Sequence, residues 1–92
     1  MDDYMAQSEI ITKIAEVIGR EWPSNVPAGG IHADTPLFYD GIALDSIDGV
    51  TLILSLEEQF EVEIDHGSVD TQAFENVGSL ARLVEERLRD VA

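Results

Sequence analysis

Cysteine is missing from this chain of 92 residues, which removes disulfides, thiolate nucleophiles and cysteine-bound metals together. Basic residues are nearly as scarce. Lys13, Arg20, Arg82, Arg87 and Arg89 are the whole set, all near the two ends, and none falls between Glu21 and Ala81. Phosphate backbones are neutralised by lysine and arginine, so this distribution argues against nucleic-acid binding, and against stable membrane association for the same reason. No apolar run approaches the length that spans a bilayer. The acidic start Met1-Asp2-Asp3-Tyr4 lacks the basic region and apolar stretch of a secretory signal. A cytoplasmic, monomeric protein is expected.

What is present is ordinary in bulk and unusual in charge. Hydrophobic residues make up 45% and charged residues 26%, the balance of a globular chain rather than a disordered one. The length suits a single domain over 1–92 with one modest core. A formal net charge of -14 fits either a purely solubilising surface or fast, salt-sensitive encounter with basic protein surfaces. Composition alone leaves these two open.

Hydrophobic spacing gives helices and almost no strand signal. Ile10, Ile11, Ile14, Val17 and Ile18 recur at three and four residues, predicting a first helix over about 4–20 that Pro23 and Pro27 prevent from continuing. Residues 21–45 read as a long connection punctuated by proline and glycine. Ile31, Leu37, Phe38, Ile42 and Leu44 are too apolar for a solvated tether, and Leu37 with Phe38 are its expected anchors. A second helix is predicted from about Ile47 to Phe60, with Leu52, Ile53, Leu56 and Phe60 facing inward. Its second stripe, Ile47, Val50 and Leu54, is either further core or an exposed strip that meets a partner. A short element around 68–73 follows. Asn76 then caps a last helix whose inward face is Val77, Leu80, Val84, Leu88 and Val91. The expected fold class is all-α: a small up-and-down bundle of three long helices and one short one, with a long loop after the first.

The residues with chemical potential gather at Leu44-Asp45-Ser46-Ile47-Asp48, where the connection meets the second helix. A nucleophilic serine needs an adjacent base, yet His32 and His66 lie in turn-like segments with no sign of a triad, so no catalytic residue is assigned. Asp40 to Asp48 lacks the alternating ligands and central glycine of a calcium loop, so no metal site is assigned either. Ser46 or Asp45 can cap the helix, with Asp48 in the first turn favoured by the helix dipole. The Ser46 hydroxyl can also be a group presented to another enzyme. Local spacing favours the cap without deciding the matter.

The order of motifs decides it. Asp34-Thr35-Pro36-Leu37-Phe38, then Gly41-Ile42-Ala43-Leu44-Asp45-Ser46-Ile47-Asp48, then Leu52 through Ile64, then Asn76-Val77-Gly78-Ser79-Leu80, closely resembles the acyl carrier proteins along nearly the whole chain. The resemblance implies that Ser46 accepts 4'-phosphopantetheine from coenzyme A through a phosphopantetheinyl transferase. The cofactor then supplies the sulfur that the chain lacks, and acyl cargo rides on it as a thioester. It also implies that Asp45, Asp48, Glu57 and Glu58 steer basic surfaces of loading and processing enzymes, with Ile47, Val50 and Leu54 supplying apolar contact.

Four features depart from the fatty-acid carrier pattern: Thr51 stands where a glutamate is usual, Gly41-Ile42-Ala43-Leu44 stands where an acidic-Leu-Gly-Ala-like run is common, Ile47 replaces a leucine, and the Val26-Pro27-Ala28-Gly29-Gly30 loop is longer. They point to a specialised discrete carrier of polyketide, fatty-acid-like or modified-lipid synthesis. An aminoacyl or peptidyl carrier is the rival of the same fold. A non-covalent acidic adaptor, in which Ser46 only caps a helix, is the rival of another class.

Overall fold

A computed structural model describes residues 6–38, 40–65, 69 and 71–91. Among these, three α-helices form: α1 (Gln7–Glu21), α2 (Ser46–Phe60) and α3 (Val77–Val91), with a 3-10 turn over Pro23–Asn25. The only β-type pairing among the described residues is an isolated bridge between Pro36 and Asn76. The bundle therefore has the expected all-α architecture, and the three long helices fall within a few residues of the spans predicted from periodicity. The short element expected around 68–73 lies partly outside the described residues, and 71–74 form a turn.

Each helix buries most of the stripe its spacing selects, with Ile11 and Leu88 half-buried at the edge and the Val91 side chain outside what is described. Ile10, Ile14, Val17 and Ile18 of α1 meet Leu52, Ile53, Leu56 and Phe60 of α2 and Val77, Leu80, Ala81 and Val84 of α3 in one core. A fully buried isoleucine or leucine contributes about 1.5–3 kcal/mol against exposure, enough to order helices of this length that would be marginal alone. Packing is uneven: α1 lies most extensively on α3, less on α2, and α2 touches α3 least.

The long connection belongs to this core. Leu37, Ile42 and Leu44 are buried, while Phe38, the other expected anchor, is only half-buried and lines a cavity. The loop is also stapled to the start of α3, whose first amides have no partner within their own helix. Val77 N–H donates to Thr35 O at 3.0 Å and Gly78 N–H to Ala33 O at 2.7 Å. That approach favours glycine, since a Cβ on Gly78 would stand a tight 3.0 Å from the Ala33 carbonyl oxygen. Asn76 caps α3 as expected: its Oδ1 accepts from Ser79 N–H at 2.8 Å and its own N–H donates to Ser79 Oγ at 3.0 Å.

Candidate functional site

Capping at the start of α2 is done by Asp45. Its Oδ1 accepts from Asp48 N–H at 2.8 Å, and Asp48 Oδ2 accepts in return from Asp45 N–H at 3.3 Å. This reciprocal box satisfies amides that would otherwise be orphaned at the helix start. Ser46 is thus the first helical residue rather than the cap, and it is exposed. Its hydroxyl has no capping duty.

The chain reaches Ser46 under constraint. Leu44 N–H donates to Leu37 O at 2.9 Å and Ile42 N–H to Pro36 O at 2.9 Å. Gly41 is needed at this bend, because a Cβ there would run into the Pro36 carbonyl. Between the two buried anchors, Ala43 takes a left-handed backbone with φ 62°, which costs a non-glycine residue about 1–2 kcal/mol.

Two residues that sequence reasoning missed brace this segment. The Trp22 indole Nε1–H donates to Asp48 Oδ1 at 3.3 Å, and Asn25 Nδ2 donates to the Ile42 carbonyl at 2.9 Å. The partners are 26 and 17 residues apart along the chain, so no local spacing could have paired them. His32, the histidine within the described residues, has its Nε2 2.8 Å from the Gly29 carbonyl in its own turn. His66 lies outside the described residues.

Two hollows adjoin Ser46. An apolar one of about 230 Å³ runs between Phe38, Gly49, Val50, Ile53, Val69 and Phe74. It lies between α2 and the segments that precede α2 and α3, and the tilted Phe38 and Phe74 rings, 5.5 Å between centroids, form one wall. A broader groove of about 800 Å³ crosses its mouth, past Leu44, Asp45, Thr71 and Glu75. A serine hydroxyl at the positive end of α2, open to a groove and free of other duties, suits a phosphate ester with an attached chain.

The outer face of α2 carries the second apolar stripe. Ile47, Val50 and Leu54 are 77%, 53% and 54% exposed, so it is surface, not core. Asp45 and Glu58 are exposed beside it. Asp48 and Glu57 are half-buried and hold internal bonds, Glu57 Oε2 accepting from Ile64 N–H at 2.8 Å.

A helical bundle that offers an uncommitted hydroxyl at a helix start, above an apolar hollow, has the make-up of a carrier domain. The family model described as "Phosphopantetheine attachment site" matches residues 8–84, which take in α2, nearly all of α1 and about the first half of α3. The chain is similar to the acyl carrier protein of Prochlorococcus marinus, 29% identical over 83 residues, covering 90% of this chain and 98% of that protein. It is likewise similar to the acyl carrier protein of Brachyspira hyodysenteriae, 31% identical over 77 residues, covering 84% of this chain and 94% of that protein. The chain belongs to the acyl carrier protein family.

Proposed function

We propose that this single-domain protein carries acyl groups in the cytoplasm on a 4'-phosphopantetheine arm attached at Ser46. The observation that carries the reading is the Ser46 hydroxyl, exposed at the first turn of α2 while Asp45 does the capping. In the attachment step, Ser46 Oγ forms a bond to the phosphorus of coenzyme A next to pantetheine. The pyrophosphate P–O bond breaks, adenosine 3',5'-bisphosphate leaves, and the hydroxyl proton passes to a base on the transferase. Activation belongs to that enzyme, so the protein needs no base of its own beside Ser46. The attached group supplies a terminal thiol that holds cargo as a thioester.

The cargo is acyl, in polyketide, fatty-acid-like or specialised lipid synthesis, and the apolar hollow beside Ser46 supports shelter of its apolar part. Capping by Asp45 leaves the Ser46 hydroxyl free, which favours the carrier over the adaptor reading. Partners are the phosphopantetheinyl transferase and acyl-processing enzymes whose basic surfaces meet Asp45 and Glu58, with Ile47, Val50 and Leu54 as the apolar contact. Asp48 and Glu57 add charge from behind their internal bonds. Rim charges of this kind set association rate and salt dependence more than affinity.

Co-expression with a broad-specificity transferase, followed by intact mass, tests the assignment. The expected result is a gain of one phosphopantetheine that disappears in Ser46→Ala. Unmodified protein beside a fully modified control carrier would overturn the function. A gain that persists in the variant would move the site elsewhere.

A further inference from the structure

The corner between α1 and the connection is built from a few residues and reaches far along the chain. Trp22 N–H closes on Ile18 O at 2.8 Å and Asn25 N–H on Trp22 O at 2.9 Å, so the 3-10 turn continues the end of α1 without slack. From this corner the two side-chain bonds cross to Ile42 and Asp48, on either side of Ser46. The stretch they bracket contains Ala43 in its left-handed conformation. Such a conformation persists only where the surroundings over-determine it. The N–H groups of Ile42 and Leu44 are tied to the Pro36 and Leu37 carbonyls on its two flanks, and Asn25 holds the Ile42 carbonyl of the peptide that leads into Ala43.

Asp48 is the link between corner and serine. One carboxylate oxygen takes the indole and the other takes the Asp45 amide, one residue before Ser46. A side chain with both oxygens spoken for, and half-buried, is fixed by its surroundings before any partner arrives.

We propose that Trp22 and Asn25 are positioning residues for Ser46, acting through Asp48 and the Ile42 carbonyl to hold the serine and its cap in the presentation that the modifying enzyme meets. The role of Asp48 is then chiefly to transmit this constraint rather than to serve as a docking charge. The proposal rests on Ser46 being the modified residue, and that is checked first in the wild-type protein. If wild type is not modified at Ser46, the functional reading fails, whereas the brace itself is still read from the indole resonance.

The test compares wild type with Trp22→Phe, Asp48→Ala and the double variant, at a temperature where far-UV circular dichroism shows all of them folded. Transfer from coenzyme A is measured as kcat/KM for the carrier at low and high ionic strength. Trp22→Phe keeps an aromatic ring and removes the donor. It is expected to lower kcat/KM by about five-fold, the factor matching one hydrogen bond's net worth, with the wild-type salt dependence retained. The double variant is expected to be no slower than Asp48→Ala alone, because the two residues form one link. The indole proton resonance of Trp22 is expected to move upfield in Asp48→Ala. Should Trp22→Phe unfold, Asn25→Ala removes the other bond, leaves the indole in place, and carries the same expected loss. A wild-type kcat/KM in the variant tested, losses that multiply in the double variant, or an unmoved indole resonance would each overturn the proposal.

Discussion

Ala43 is the residue where local preference and global fold disagree most plainly. Its φ of 62° is one that glycine adopts without cost and alanine does not. Gly30, by contrast, has a φ of 87° and no such conflict. Ala43→Gly should remove the strain and give back part of the gain as unfolded-chain entropy, leaving a net increase of about 0.5–1 kcal/mol in stability. Urea unfolding would register this as a higher midpoint at unchanged slope. A lower midpoint would mean that the alanine methyl has a packing role that outweighs its strain. Asp48 is the other informative side chain at this scale. By sequence it ranks with Asp45 and Glu58 as a surface acid, and only the fold reveals the indole across from it.

Among the elements, α2 carries the most unexpected choice, a buried glycine at its fourth position, about one turn after Ser46. Gly49 costs the helix about 1 kcal/mol relative to alanine. A Cβ at that position would lie 3.5 Å from the Phe38 ring and 3.8 Å from Phe74, ordinary contact rather than a clash. Gly49→Ala is therefore expected to raise the melting temperature by roughly 4–8 °C while narrowing the apolar hollow. A lower melting temperature would show that the Phe38–Phe74 wall cannot yield to one methyl. The helices themselves were legible because their apolar residues repeat at three and four, and the Asn76 cap because asparagine is a favoured residue directly before such a run. The exposure of Ile47, Val50 and Leu54 was legible only as one of two options, since periodicity marks a stripe as apolar without saying what covers it. Trp22 and Asn25 were illegible because their partners lie distant in sequence. Nothing in the spacing of residues 68–73 distinguished a short helix from the turn found over 71–74.

For the whole molecule, the net charge of -14 is a field, not a set of pairs. The described ion pairs are peripheral: Arg20 with Glu21, Arg87 with Asp90 and Arg89 with Glu85, at 3.9, 3.1 and 3.7 Å. Exposed pairs of this kind contribute little, and the middle of the chain has no basic residue to offset its acids. Self-repulsion of like charge destabilises a compact state and is screened by salt. The melting temperature should therefore rise between about 10 mM and 150 mM ionic strength, over which the Debye length falls from roughly 30 Å to 8 Å. A flat or falling curve in circular dichroism would mean that the acids are spaced widely enough not to repel. The radius of gyration of 12.3 Å is close to the value of about 12 Å expected for a compact chain of this length.

The corner after α1 has an optical consequence. The chain has one tryptophan, so its tryptophan emission comes from beside Asp48, at the foot of the helix that bears Ser46, and not from the centre of the core. Quenching or a spectral shift on mixing with a partner enzyme would signal events at that end of α2 without any added label. In a melt, the emission follows one corner while circular dichroism follows all three helices. Comparing the two curves asks whether the brace lets go together with the bundle or ahead of it.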